Sequence, residues 1–217
     1  MKILNLSLEK SILNNFLAEI RDAEIQRDSM RFRKNIERIS EIMAYETSKE
    51  LDYADRRVTT PLGEATHQTP TDNIVLATLL RAGLPMHEAF LSVYDKAENA
   101  FVSAYRKYSS NTEFEIEIEN LAAPSLKGKT LILVDPMLAT GRSMLLGYKA
   151  LQSHGEPSKI ILASIIASRQ AVEYIEKNFP SEKTSLYCAA IDPKINEHSY
   201  IVPGLGDAGD LCFGEKL

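Results

Sequence analysis

Residues 130–143 read Thr-Leu-Ile-Leu-Val-Asp-Pro-Met-Leu-Ala-Thr-Gly-Arg-Ser, and their types and order point to an anion site. An apolar β-type run, Leu131 to Val134, ends in the carboxylate of Asp135. Pro136, Met137, Leu138, Ala139, Thr140 and Gly141 form a short loop, and Arg142 and Ser143 open a helix-like segment that runs from Met144 to Leu151. A strand, a tight loop and a helix N-terminus bind anions because unpaired backbone N–H groups converge there and the helix dipole favours negative charge. Gly141 can take positive φ and let the backbone approach a ligand closely. Thr140 and Ser143 add hydroxyl donors. Asp135 falls at the carboxyl end of a strand, where open α/β sheets place ligands. A carboxylate repels phosphate but accepts hydrogen bonds from ribose hydroxyls, so the combination fits a sugar phosphate better than a bare phosphate.

The stretch has no Gly-Lys-[Ser/Thr] and no Gly-x-Gly-x-x-Gly, which excludes a Walker loop and a dinucleotide turn. On residue types alone an ordinary strand-loop-helix, with Thr140 or Ser143 as N-cap, stays open. A second constellation lies at 191–214, where Gly204, Gly206 and Gly209 free the backbone to bend around a small planar ligand and Asp207 and Asp210 supply acceptors. Its alternatives are a solvated acidic turn or a weak cation loop, and the spacing does not fit an EF-hand. Two arginines complete the set. An apolar run at 74–80 delivers Arg81 and Gly83 to a loop, and residues 101–105 place Arg106 at a strand end. One arginine after a strand is usually a surface charge. Two of them, in a chain with an anion loop, fit a diphosphate clamp better.

Asp135 to Gly141 resembles, residue for residue, the phosphoribosyl-pyrophosphate (PRPP) loop of uracil phosphoribosyltransferases. Residues 196–210 resemble the uracil-binding hood of the same family, Asn-Glu-His-Gly-Tyr-Ile-x-Pro-Gly-Leu-Gly-Asp-Ala-Gly-Asp, with Ser199 where the family usually has Gly. Leu80 to Gly83 and Tyr105-Arg106 match two further family segments. The similarity runs from Arg31 to Gly214. It implies a type I phosphoribosyltransferase fold and the reaction of uracil with PRPP to give UMP and diphosphate, with Mg²⁺ carried on PRPP and no direct protein ligand to the metal. It implies PRPP contacts from Arg81, Arg106, residues 135–143 and Asp207, uracil contacts from the main chain at Ile201, Gly206, Asp207 and Ala208, and catalytic roles for Asp207 and Arg106. The family forms dimers or higher homo-oligomers, and GTP activates some members. This chain departs from the family at Arg142, where relatives commonly have Gly, and at Lys107-Tyr108, where many have Asn-Glu. The competing reading is a nucleotide-sensing or RNA-binding regulator built on the same fold; an enzyme for another base is also compatible with the PRPP loop alone.

The elements that must position these residues follow an α/β order. Strands are expected at 74–80, 101–105, 130–135, 159–166 and 184–191, and helices near 86–97, 143–154 and 168–178, an alternation that argues for a parallel sheet covered on both faces. Residues 9–54 are helical in pattern, with Ile36, Ile39, Ile42 and Met43 at helical spacing and Asp28 or Ser29 as cap. Arg31-Phe32-Arg33 reads as a solvated helix start rather than a basic patch. Residues 55–73 read as a hairpin or linker, and Phe114 to Glu119 alternates as half of an exposed hairpin, beside a lid at Ser109 to Thr112. The expected organisation is one domain: an N-terminal arm (1–73), of which residues 9–73 serve as a dimer contact, a PRPP-binding core (74–190) and a uracil-binding hood (191–217).

The 217 residues are 44% apolar, enough for a sizeable core, and carry a net charge of −5, which argues against a general nucleic-acid binder. Cys188 and Cys212 suggest buried thiols in a reducing, cytoplasmic setting rather than a disulfide framework. His67, His87, His154 and His198 show no metal-ligand spacing. Met1 to Lys10 has no apolar core of the signal-peptide kind, and no apolar run reaches the length of a membrane span.

Overall fold

The computed structural model describes residues 1–108 and 114–215; for 104–108 and 114–118 only the backbone is described. The chain opens with strand β1 (Lys2–Asn5) and helices α1 (Leu13–Arg21) and α2 (Ser29–Ser48). A hairpin of β2 (Tyr53–Thr60) and β3 (Gly63–Pro70) follows, then β4 (Ile74–Leu80), α3 (Leu84–Val93), and the antiparallel pair β5 (Glu98–Tyr108) and β6 (Phe114–Ala122). The second half runs through β7 (Thr130–Val134), β8 (Met137–Leu138), α4 (Arg142–Leu151), β9 (Lys159–Ser168), α5 (Arg169–Asn178) and β10 (Thr184–Asp192). It closes with the small hairpin β11 (Lys194–Ile195) and β12 (Ile201–Val202) and helix α6 (Ala208–Phe213).

The main sheet has eight strands in the order β1-β10-β9-β7-β4-β5-β6, with β8 added to β9, and every pairing but β5–β6 is parallel. Parallel sheets need both faces covered, so their strands are apolar on both sides. Alternate residues divide accordingly. Leu76, Ile132, Val134, Ile161 and Tyr187 pack against α1, α2 and α3, whereas Val75, Leu131, Leu133, Ile160 and Leu186 pack against α4 and α5. The helix after β4 therefore lies on one face and the helix after β7 on the other. Their entry loops diverge from neighbouring strands, and this switch point opens a crevice at the strands' carboxyl ends.

The expected helical stretch at 9–54 is two helices. Asp22 breaks it: its Oδ1 accepts from the N–H groups of Glu24 (2.8 Å) and Ile25 (3.1 Å), which competes with continued helix. Asp28 is the cap of α2, accepting from Arg31 N–H at 3.0 Å. The start of α2 is solvated at Asp28 to Arg31, with Arg31 forked onto Glu19 of α1, while Phe32 is fully buried and Arg33 donates to Cys212 O at 2.6 Å. Residues 53–70 form the hairpin. It alone projects from the 1–73 segment, because β1 pairs with β10 and α2 fills the core with Phe32, Ile36, Ile39 and Met43. The lid expected at Ser109 to Thr112 lies outside the described residues.

Candidate functional site

Three chain segments meet over the crevice between β4 and β7, and together they line one cleft. The floor is the loop after β7. Five buried residues, Thr130 to Val134, carry the strand into the centre of the sheet. Pro136 has no N–H to continue the ladder, and its carbonyl instead accepts from Ile166 N–H at 2.9 Å. Met137 and Leu138 then pair again with β9, against Ile166 and Ala167. Ser168 Oγ donates to Ala139 O at 2.6 Å, so the loop is held along most of its length.

Gly141 ends the loop with φ 78° and forms the N-terminus of α4. It cannot be replaced without strain, because a Cβ there would lie 2.9 Å from Tyr174 Cδ1 and 3.3 Å from Ala171 O on α5. Neither Thr140 nor Ser143 caps the helix; Thr140 Oγ1 accepts weakly from Arg142 N–H at 3.4 Å. The first-turn N–H groups of α4 have no intrahelical acceptors and open toward the cleft.

Asp135 lies half-buried at the base of this loop. One weak donor reaches it, Met137 N–H at 3.4 Å, and among the described residues no cation pairs with it. Burial therefore dominates and raises its pKa from 3.8 to about 7.

Arg81 forms the second wall. It follows β4 across a cis Leu80–Arg81 peptide, and Gly83 completes the turn into α3. A Cβ at Gly83 would fall 2.1 Å from Thr78 Oγ1 and 2.5 Å from Leu79 O, so only glycine fits. The guanidinium crosses to the third wall, with Nη2 3.3 Å from Gly214 O and 3.5 Å from Asp210 Oδ1. Its Nε is buried without a partner among the described residues.

The third wall is the C-terminal loop, and Asn196 organises its turn. The Asn196 side chain accepts from His198 N–H (3.0 Å) and Tyr200 N–H (2.9 Å), and its backbone N–H donates to Tyr200 O at 2.8 Å. Ser199 takes φ 62°, the one non-glycine residue with positive φ among those described. Beyond Ile201, Gly204 turns the chain with its N–H on Asp192 Oδ2 (2.8 Å) and its carbonyl on Arg21 Nη1 (2.9 Å). Gly206, Asp207 and Ala208 return to the cleft, and Asp207 Oδ1 caps α6 by accepting from Asp210 N–H at 3.0 Å.

Of the residues singled out from sequence, Arg81, Asp135, Met137 to Gly141, Ser143, Ile201, Gly206, Asp207 and Ala208 line this cleft. Pro136 is buried behind its wall, and Arg142 is exposed and does not line it. The Arg106 backbone pairs with Ile116, and its side chain lies outside the described residues, as do those of Lys107 and Tyr108. Sequence reasoning missed Arg21, Asp192 and Ser168, which hold the two loops from behind; nothing local marks them. Both cysteines are free and buried, and burial pushes Cys188 up to about 12 and Cys212 up to about 11, which disfavours the reactive thiolate.

Residues 7–215 match the family model for uracil phosphoribosyltransferase. The uracil phosphoribosyltransferase of Porphyromonas gingivalis is 58% identical over 217 residues, covering 100% of both chains. That of Methanothermobacter thermautotrophicus is 38% identical over 189 residues, covering 86% of this chain and 85% of its own. Among solved structures, the AQ2163 protein of Aquifex aeolicus superposes with a TM-score of 0.85 at 27% identity over 98% of each chain. A purine phosphoribosyltransferase from Pyrococcus horikoshii shares the fold, with a TM-score of 0.50 at 14% identity over 74% of this chain and 84% of its own. A strand-loop-helix floor, a carboxylate at its root and a glycine-rich loop facing both agree with these likenesses: the chain belongs to the uracil phosphoribosyltransferase family.

Proposed function

We propose that the cleft binds PRPP and uracil and transfers the phosphoribosyl group to N1 of the base, releasing UMP and diphosphate. The observation that carries this reading is the convergence of the α4 N-terminus, Asp135 and the 201–208 main chain on one cleft. The N–H groups at 140–143, with the Thr140 and Ser143 hydroxyls, take the 5′-phosphate. Asp135 accepts hydrogen bonds from the ribose hydroxyls, which return to its carboxylate the donors that burial removed. Arg81 turns its guanidinium from Gly214 O and Asp210 to the diphosphate, shared with Arg106.

Main-chain groups at Ile201, Gly206, Asp207 and Ala208 read the O4, N3–H and O2 edge of uracil. Cytosine presents an amino group and an unprotonated N3 to the same fixed donors and acceptors, and the mispairing rejects it. Asp207 stands where base and diphosphate meet. As the C1′–O bond to diphosphate breaks, positive charge develops on the ribose, N1 forms the new bond to C1′, and the N1 proton passes to the departing diphosphate or to solvent. In the cleft that Asp135 and Asp207 line, the diphosphate oxygens are the hard donors that carry magnesium, with Asp135 kept for the ribose hydroxyls. Bound there, Mg²⁺ neutralises charge on the leaving group.

The arm supports a homodimer or higher homo-oligomer. The β2–β3 hairpin is exposed along both strands, Leu62 at its tip is fully exposed, and Leu8, Ile12 and Met30 are further exposed apolar residues of the N-terminal segment. An isolated two-stranded hairpin is marginal in water and gains stability by burial against a second copy. We assign GTP as a candidate effector of that assembly. No helix among the described residues is long and apolar enough to cross a membrane; the two free buried thiols support a reducing, cytoplasmic setting.

Purified protein with Mg²⁺, PRPP and uracil should form UMP, with cytosine a poor substrate. Folded protein that forms no UMP across a range of GTP concentrations overturns the reading. Light scattering with and without GTP tests the assembly.

A further inference from the structure

A loop that reads a base through its main chain has no side-chain freedom with which to adjust. Its donors and acceptors discriminate only if the backbone itself is fixed within a few tenths of an ångström. The middle of that loop is Gly204. Its φ is 56°, and a Cβ there would lie 2.2 Å from Ile201 O, so the chain is folded tightly back on itself at this point. Both polar groups of Gly204 are taken by one ion pair. The N–H donates to Asp192 Oδ2 at 2.8 Å, and the carbonyl accepts from Arg21 Nη1 at 2.9 Å.

The pair is itself bidentate, with Arg21 Nη1 and Nη2 each 2.8 Å from an Asp192 oxygen. Asp192 ends β10 at the carboxyl edge of the sheet, with its side chain 7% exposed, and Arg21 is the last residue of α1. A planar fork on a carboxylate fixes orientation as well as distance. Replacing such a buried pair by apolar groups is often neutral for stability, so its contribution here is directional. The other ion pair that α1 makes among the described residues, Glu19 with Arg31, touches no part of the cleft.

We infer that Arg21 and Asp192 are positioning residues for base recognition: their fork clamps Gly204, holds Ile201 and Gly206 to Ala208 in register, and sets affinity for the pyrimidine without acting on the PRPP loop. The inference rests on reading 201–208 as the base-binding loop. It makes the docking of α1 a condition for binding uracil.

Two variants test it. Arg21→Lys keeps the charge and loses the fork. Arg21→Met combined with Asp192→Asn removes both charges, which avoids leaving a buried carboxylate unpaired. In both, KM for uracil should rise about tenfold or more and KM for PRPP should stay within about threefold, the separation expected when only one ligand's contacts are disturbed. Amide exchange at Gly204 and Gly206 to Ala208 should accelerate while that of α4 stays as in the wild type. A folded variant with an unchanged uracil KM and unchanged exchange at Gly204, or with both KM values rising in parallel, overturns the clamp. Wild-type protein that makes no UMP overturns the base-loop reading instead, and the exchange comparison then decides on the clamp without any activity assay.

Discussion

Asp135→Asn should strengthen the free protein and weaken the enzyme. In the folded chain Asp135 titrates near 7 instead of 3.8 because burial removes water from its carboxyl group and only the weak Met137 N–H contact replaces it. Between those two values the folded state holds a proton that the unfolded chain has released. Stability therefore falls as pH rises through that window, and the penalty is complete above pH 7. A shift of about three units corresponds to at most about 4 kcal/mol, an upper figure because the residue is open to the cleft on one side. Near pH 5 roughly 1–2 kcal/mol of it remains, and near pH 4 less than about 1 kcal/mol. Asparagine has nearly the same shape, keeps an oxygen for the Met137 N–H and carries no charge. Urea unfolding should therefore show Asp135→Asn more stable than wild type at pH 8, with an advantage that shrinks steadily toward pH 4. The same substitution removes a charged acceptor from the ribose hydroxyls, so kcat/KM for PRPP should fall by about 1.5–3 kcal/mol while uracil binding measured without PRPP changes little. A stability difference that does not depend on pH, or a loss of stability at pH 8, refutes the assignment of a buried, uncompensated carboxylate. Equal losses for both ligands point to a collapsed loop.

Ser199→Gly should raise stability by about 0.5–1 kcal/mol in urea unfolding, since the left-handed conformation at φ 62° carries a penalty that glycine lacks; a lower midpoint counts against strain at that turn. Gly141→Ala should lower stability by about 1–3 kcal/mol, from its φ of 78° together with the 2.9 Å approach to Tyr174, and should raise KM for PRPP more than KM for uracil. Arg142→Gly should keep kcat/KM for PRPP within about tenfold, or 1.4 kcal/mol, because the exposed side chain does not line the cleft and the main-chain N–H is retained; a hundredfold loss in a folded variant shows that the guanidinium reaches the phosphate.

The chemistry was legible in this sequence where glycine or a strand end makes it so. Gly141 is required by the left-handed turn into α4, and the apolar run before Asp135 fixes that residue at a carboxyl edge, so the floor of the cleft could be read locally. The five strands expected from apolar runs all form; four of them, β4, β7, β9 and β10, lie between parallel neighbours, are apolar on both faces and need no partner information to be recognised. Strand β1 was not legible. It has four residues, none of them fully buried, and becomes a strand only because the edge of β10 offers it a ladder. The break at Asp22 was hidden for a related reason: its side-chain bonds to Glu24 and Ile25 compete with a helix that the apolar spacing alone would continue.

What the sequence conceals is support at long range. Arg21 and Asp192 stand 171 residues apart, and each is an ordinary residue at the end of an ordinary element. Ser168 looks like any helix cap, and it is one for α5, yet the same hydroxyl also tethers Ala139 in the floor loop. A site built from backbone groups makes this division sharp. Its contact residues need little side-chain chemistry, so glycines and small residues advertise them, while the charges that give the backbone its rigidity sit one layer behind and appear only when the chain is folded. Ser199 lies between the two cases. Its departure from glycine is visible in the sequence, but the sign of its effect depends on φ, and that is set by the two hydrogen bonds Asn196 accepts from the far side of the turn. Substitutions behind the cleft, at Arg21 and Asp192, should therefore change the KM for uracil as strongly as substitutions that line it.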